Sequence, residues 1–302
     1  MHIPVLLDVV LDILLENNGT RYLDCTFGEG GHSIALLDRG KKDIQIYGID
    51  RDPECIDRAL EKWGNNKNIH LESLPFDELD AALDNWGVDA IDGVLFDVGL
   101  NSLQLDDPER GFSYRFDGPL DLRYDQRTTI TGEDVLNEYP ESDIANIIFK
   151  YGEERKSRRI AAEIVKNRPL RSTAHLIDCI RHVTPSNHFD RTLARVFQSI
   201  RVYVNDEIGQ IERALPKVWE KLAIGGRLVF ISYDSIPDRI VKLFIRKHIT
   251  PCTCPPKLSV CVCGEVPDAR MITKKPIVAD KEEIEINPRS KSAKLRAVEK
   301  YR

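Results

Sequence analysis

Asp24-Cys25-Thr26-Phe27-Gly28-Glu29-Gly30-Gly31-His32-Ser33 follows a short apolar run, and a second apolar run, Ile44 to Ile49, ends in Asp50. A strand that enters a glycine-rich turn and then a helix brings backbone close to a ligand, while an acid ending the next strand accepts hydrogen bonds from ribose hydroxyls. The pairing describes a nucleoside cofactor site. Its glycine spacing, Gly28-Glu29-Gly30-Gly31, is not the G-x-G-x-x-G of dinucleotide enzymes, and the Lys-Ser/Thr of a phosphate-cradling P-loop is missing. A phosphate-free cofactor such as S-adenosylmethionine fits this turn better than a diphosphate.

Outward from this turn, the runs Arg21 to Cys25, Ile44 to Asp50, Ile69 to Glu72 and Ala90 to Asp97 read as strands. Ser33 to Asp38, Pro53 to Trp63 and Phe76 to Asn85 carry helical patterns between them. Pro53 behind Asp52 is a helix start, because proline's missing N–H costs nothing in the first turn. Repeated βα units predict a parallel, doubly wound sheet. After Asp97 the alternation stops, and Ile144 to Arg168 shows long helical patterning rich in Arg and Lys, which predicts an inserted helical domain. Alternation resumes with a helix from Asn205 to Leu222, Gly225-Gly226, a strand Arg227 to Ser232, a helix from Pro237 to Lys247 and a last strand Lys294 to Val298. The chain has no internal repeat and no low-complexity tract.

With 302 residues, 42% of them hydrophobic, the chain can bury one large core or two modest ones. It contains no run of about 18 apolar residues, and Met1-His2-Ile3-Pro4-Val5-Leu6-Leu7-Asp8 lacks the basic region and cleavage site of a signal peptide. A soluble, cytoplasmic protein without a membrane partner is the expectation. The seven cysteines, four of them clustered, fit a reducing compartment better than a disulfide framework. Net charge is −6, but unevenly distributed: residues 1 to 149 hold 12 Lys and Arg against 31 Asp and Glu, residues 150 to 201 hold 12 against 5, and residues 270 to 302 hold 10 against 5. Segregated positive charge in an acidic chain suggests a polyanion held by particular segments, the alternative being solvated helical faces.

In an open parallel sheet, ligands sit beyond the carboxyl ends of the strands. Gly28 to Gly31, Asp50, Pro75-Phe76 and Asp97 all fall at such ends, and their convergence weighs more than any one of them. Taken singly, the glycines could serve only the turn, Asp50 could cap the next helix, and Phe76 could be core. The loop Asp97-Val98-Gly99-Leu100-Asn101-Ser102-Leu103-Gln104 is the expected reaction centre, with Asp97 and Asn101 the candidate catalytic residues. A carboxylate there can accept hydrogen bonds from an amine. An exocyclic amine such as cytosine N4 is a poor nucleophile because its lone pair is delocalised into the ring, so acceptors that favour a pyramidal nitrogen, aligned with a sulfonium methyl, would supply most of the catalysis. Asp97 acting only as a helix cap or cofactor ligand is the competing reading.

Cys252, Cys254, Cys261 and Cys263 form C-x-C-x6-C-x-C, with Pro255-Pro256 and Gly264 shaping the loop. Four thiols this close suggest a tetrahedral structural zinc, against free or redox-active thiols. Cys25, Cys55 and Cys179 read as buried small hydrophobes.

The string Asp106-Asp107-Pro108-Glu109-Arg110-Gly111-Phe112-Ser113-Tyr114-Arg115-Phe116-Asp117-Gly118-Pro119-Leu120-Asp121-Leu122-Arg123 resembles the signature of the bacterial small-subunit ribosomal RNA cytosine-N4 methyltransferases, the RsmH (formerly MraW) family. So do Tyr151-Gly152-Glu153-Glu154-Arg155, Phe197-Gln198 with Arg201 and Asn205, and Asn287-Pro288-Arg289-Ser290. The likeness runs from His2-Ile3-Pro4-Val5-Leu6-Leu7 to Lys294-Leu295-Arg296. It implies a class I (Rossmann-like) α/β methyltransferase with a mostly parallel seven-stranded sheet: residues 1–108 its first part, 109–204 an inserted helical substrate-recognition domain, and 205–302 its second part. It further implies S-adenosylmethionine-dependent methylation of a cytidine in the decoding region of 16S rRNA, the partner being rRNA or an assembled small ribosomal subunit.

By matching position, the family's cofactor contacts fall on Gly30, Gly31, His32, Asp50, Phe76, Asp97 and Gln104. Gly30 and Gly31 would admit the methionine portion, Asp50 would hold the ribose and Phe76 would pack on adenine. Three stretches depart from the pattern. The family's Asp-Leu-Gly-Val-Ser-Ser has Asn101 for its first serine here. Its Ile-Ser-Phe-His-Ser-Leu-Glu-Asp-Arg reads Ile231-Ser232-Tyr233-Asp234-Ser235-Ile236-Pro237-Asp238-Arg239, so Asp234 replaces the histidine. Its Pro-Ala-Thr-Arg-Thr-Phe-Gln reads Thr192-Leu193-Ala194-Arg195-Val196-Phe197-Gln198. An unstacked target base would meet Arg110, Phe112, Tyr114 and Arg115, while Arg155, Lys156, Arg158, Arg159 and Arg289 to Arg296 could track backbone. Two alternatives stay open: a non-catalytic rRNA-binding or assembly factor on the same fold, and an amino-methyltransferase with another nucleic-acid or protein acceptor. The oligomeric state also stays open, a homodimer included.

Overall fold

The computed structural model describes residues 3–100, 102–255 and 262–302. Two compact units emerge, Met1–Gly99 with Gly209–Arg302, and Leu100–Ile208. The inserted unit thus starts at Leu100 rather than 109 and ends at Ile208 rather than 204. Motif edges place the boundaries too far along the chain at one end and too early at the other, because the chain changes partners as soon as it leaves the fourth strand.

In the first unit, β1 (Arg21–Asp24), β2 (Gln45–Ile49), β3 (Ile69–Glu72), β4 (Ile91–Val98), β5 (Leu222–Ser232), β6 (Ala269–Met271) and β7 (Lys294–Lys300) make one seven-stranded sheet, ordered β3-β2-β1-β4-β5-β7-β6. β1 to β5 pair in parallel, and β7 runs antiparallel to both β5 and β6. The chain walks outward from β1 to β3 and returns on the other side of β1, so the topological switch lies between β1 and β4, where Leu23 faces Val94 and Asp24 faces Leu95.

Helices on both sides bury both faces of the sheet, which is why its strands read as apolar runs rather than alternations. β4 sends Val94 and Phe96 into one core with Leu23, Leu79, Leu215 and Phe230. It sends Leu95 into the other with Val10, Leu14, Phe27 and Leu36. Phe96 stacks on Phe230 with ring centroids 5.2 Å apart. The helix Pro53–Trp63 starts as expected, with Asp52 accepting from the Glu54 N–H at 3.2 Å.

Several boundaries differ from the sequence reading. A helix Leu7–Leu15 precedes β1, β5 begins at Leu222 ahead of the Gly225-Gly226 pair, and β6 is a three-residue strand that no periodicity can reveal. Ile144 to Arg168 is two helices, Glu141–Gly152 and Ser157–Lys166, because Glu153 takes a left-handed conformation (φ 50°) and donates its N–H back to Phe149 O, closing the first. These helices, with Thr173–Val183 and Phe189–Val204, enclose the second unit's own core of Leu120, Leu136, Ile148, Ile160, Leu176 and Phe197. Among the described residues, no helix is long and apolar enough to cross a membrane.

Candidate active site

The glycine turn leaves β1 under tight control. Asp24, buried at the strand's end, accepts from Ser33 Oγ at 2.7 Å and from the Thr26 N–H at 3.0 Å. Thr26 Oγ1 in turn accepts the Asp97 N–H at 2.7 Å, and the Cys25 N–H donates to Leu95 O at 2.9 Å. The ends of β1 and β4 are thereby stitched together across the switch point. Burial lifts the Asp24 carboxyl above the usual carboxylate range, with the Ser33 hydroxyl pulling the other way.

Gly30 is left-handed at φ +80°, and a Cβ there would lie 2.7 Å from the Phe27 ring; one on Gly31 would lie 2.6 Å from Pro4 Cγ. Both side-chain positions are therefore already taken by protein atoms, so each glycine has a structural cause independent of any ligand. Asp50, half-buried just past β2, accepts the Gly28 N–H at 2.8 Å and the Asp52 N–H at 2.9 Å, one on each oxygen. Each oxygen keeps a lone pair for another donor. Desolvation pushes the Asp50 carboxyl up to about 6, opposed by those two N–H donors.

His32 and Asp97 face each other at this edge. His32 is 7% exposed, its Nε2 is 3.5 Å from Asp97 Oδ2, and neither ring nitrogen has a hydrogen-bond partner. A buried polar group left without a partner costs about 1–3 kcal/mol. Polar atoms of a ligand would satisfy it. The other Asp97 oxygen accepts from Tyr233 Oη at 2.8 Å. Burial and then the Asp97 carboxylate raise the Tyr233 phenol well above its ordinary value, so it stays a donor. This edge of the sheet combines a carboxylate with spare lone pairs, a buried imidazole without a hydrogen-bond partner and a carboxylate oriented by a phenol.

Phe76 opens a short 3-10 turn after β3, and its buried ring meets the Phe96 ring edge-on at 5.5 Å, so it is foremost a core residue. Gln104 is buried in the second unit, on the helix Ser102–Asp106. Asn101 and Cys261 lie outside the described residues. Cys252, Cys254 and Cys263 come together, as taken up below. Asp234 occupies the N-cap position of the helix Ser235–Ile249.

Of the residues expected to meet RNA, Tyr114 and Arg115 are exposed, as are Arg155, Arg158, Arg159 and Arg289. Arg110 and Phe112 are not. Arg110 is buried and donates to Tyr124 O at 2.7 Å, and Phe112 stacks on Tyr124 at 5.1 Å. Arg296 is held by Asp238 at 2.6 Å. A charge or ring in a motif says nothing of which way it points, and here these three close their own units. Asp24 and Tyr233 are site residues that sequence reasoning misses. Asp24 stands inside the decisive string, while Tyr233 is signalled only by the hydroxyl it adds where the resembled pattern has phenylalanine.

Seven strands in this order, with the antiparallel β7 between β5 and β6 and a glycine turn at the switch point, are the architecture of class I, Rossmann-like methyltransferases. At the level of sequence, the model of the MraW methylase family matches residues 1–301, and the chain belongs to that family. Among its relatives, the "Ribosomal RNA small subunit methyltransferase H" of Caldicellulosiruptor saccharolyticus is 46% identical over 303 residues, covering 99% of this chain and 99% of that one. The protein of the same name from Heliobacterium modesticaldum is 45% identical over 100% of this chain and 99% of its own. Among solved structures, a putative methyltransferase from Streptococcus mutans in complex with SAH aligns over 99% of both chains at 12% identity and a TM-score of 0.44, a likeness too distant to bear on function.

Proposed function

We propose that the chain transfers a methyl group from S-adenosylmethionine to the exocyclic N4 amine of a cytidine in the decoding region of 16S rRNA. The full-length relatives named for small-subunit rRNA methylation support the substrate class. The observation that carries the chemistry is Asp97, fixed by backbone to Thr26 and by side chain to Tyr233 at the switch point, beside an imidazole with nothing to bond.

The residues fit the cofactor. Asp50 would take the ribose hydroxyls on its spare lone pairs, and His32 and the backbone of Gly30 and Gly31 would meet the methionine portion. Bound there, the sulfonium supplies an electrophilic methyl group. Asp97 accepts a hydrogen bond from the N4 amine, which draws the nitrogen lone pair out of conjugation and points it at that methyl. Transfer to nitrogen would break the S–CH3 bond with its electron pair staying on sulfur, and the amine proton would pass to Asp97 or to water. Tyr233 donates to the opposite oxygen throughout and fixes the carboxylate's rotamer.

The test is labelled methyl transfer to small subunits, and to free rRNA, that lack the modification, followed by nucleoside mass spectrometry. N4-methylcytidine is the expected product. Failure to transfer to either substrate, with cofactor bound, would overturn the reading.

A further inference from the structure

The segment from Thr250 to Pro267 joins the helix Ser235–Ile249 to β6, and among its described residues Val262 and Val266 are 77% and 58% exposed. Its exit is pinned. Asp268 accepts from Trp219 Nε1–H at 2.9 Å, contacts His248 Nδ1 at 2.9 Å, and donates its own N–H to His248 O at 3.1 Å. Within it, the sulfurs of Cys252, Cys254 and Cys263 all lie within 4.8 Å of one another, and Cys252 and Cys263 are 3.8 Å apart. The Val262 N–H points at Cys254 Sγ across 3.4 Å.

Three arrangements compete for such a group, a disulfide, a hydrogen bond between free thiols and a shared metal ion, and distance excludes the first. A disulfide requires sulfurs about 2.05 Å apart. Thiolates on one tetrahedral zinc, each about 2.3 Å from the metal, lie about 3.8 Å from one another. The Cys252–Cys263 separation fits the metal-bound distance as well as a thiol–thiol hydrogen bond, and the convergence of a third sulfur, from Cys254, is what one such hydrogen bond does not require. A backbone N–H directed at a sulfur is also the outer-sphere donor that stabilises a metal-bound thiolate. Soft sulfur donors select zinc over magnesium or calcium.

We propose that Cys252, Cys254 and Cys263 bind one structural zinc ion, which ties the start of this segment to its later part. The sequence offers Cys261 as a fourth thiolate. Each thiol loses its proton on binding, and the dication offsets the charge that collects as the sulfurs converge. The ion has no part in methyl transfer, so the inference stands or falls apart from the function proposed above.

The experiment uses the full chain, purified gently under reducing conditions and assayed by inductively coupled plasma mass spectrometry. About one zinc per chain is expected, released to a chromophoric chelator in step with mercurial titration of the thiols and absent from the Cys252→Ser/Cys254→Ser double variant. Because that variant could fail to fold, cobalt(II) exchanged into the unmodified protein gives a second readout, an intense sulfur-to-cobalt charge-transfer band in the near ultraviolet. Zinc below about 0.2 per chain, far under the single ion such a site holds, would overturn the proposal. So would a missing charge-transfer band, or a Cys252–Cys263 disulfide mapped in freshly lysed protein.

Discussion

In the proposed mechanism Asp97 carries the heaviest load of any single side chain. Asp97→Ala should lower kcat by a factor of about 100 or more, the order seen when one oriented polar group is removed from a transition state, while rRNA binding measured by filter retention stays intact. Tyr233→Phe is the finer probe, since it removes only the hydroxyl that meets Asp97 Oδ1. About 1 kcal/mol of lost orientation corresponds to a several-fold fall in kcat with the cofactor KM unchanged. Asp50 gives a pH signature. Its folded pKa of about 6 lies above the ordinary carboxylate value, so it is ionised and able to accept ribose hydroxyls above pH 6 and loses that capacity as pH falls through 6. Cofactor affinity measured by calorimetry should therefore weaken from pH 7 to pH 5, and Asp50→Asn should be weaker throughout and flat across that range. The same raised pKa means the folded state binds the proton more tightly, so Asp50 costs stability as pH rises from about 4 to about 6 and the full cost is present above. Carboxylates raised in this way by desolvation cluster at functional sites.

Among the elements, the β5–β7 pair shows what holds the sheet's far side. Arg227 on β5 stands opposite Glu299 on β7, donates to it at 3.0 Å, and also reaches Ile13 O on the N-terminal helix and Glu16 just beyond. Arg227→Met would leave Glu299 buried with only Arg270 at its side among the described residues, and removing one partner of a buried pair costs about 3–5 kcal/mol. Urea unfolding should show that loss with an unchanged m-value. Elements also show where reading a sequence succeeds. Pro53 behind Asp52 and the run ending in Asp50 are legible because capping and strand ends are local. The break at Glu153 is not, because one left-handed residue interrupts a helix without disturbing its apolar period. Arg110, Phe112 and Arg296 read wrongly as outward-facing for a different reason: their partners, Tyr124 and Asp238, are fixed only by the tertiary fold. The pairing of Asp97 with Tyr233, 136 positions apart in the chain, is likewise a tertiary fact.

For the molecule as a whole, charge does not follow the division into units, since the acidic stretch 1 to 149 runs on into the unit Leu100–Ile208. The acidic excess lies in residues 1 to 149, whereas the basic stretch 150 to 201 falls inside the second unit, where Arg155, Arg158 and Arg159 are exposed. Binding of rRNA should weaken steeply with salt. Arg158→Glu with Arg159→Glu should reduce affinity and flatten the slope of log K against log salt by about 1 for each phosphate left unneutralised. Cofactor affinity of that double variant should be unchanged, which separates weakened RNA binding from a misfolded chain.

Interrupting the sheet after β4 also sets an order of birth. β5 lies directly beside β4, yet residues 99 to 221 are made between them. At about 5–20 residues per second, the nascent chain carries an unmated β4 edge for roughly ten seconds, and an open strand edge is a template for pairing with other chains. The contiguous unit Leu100–Ile208 has its whole core in hand during that interval and can fold first. The half-built sheet, rather than the insert, is then the part of the nascent chain that needs a chaperone.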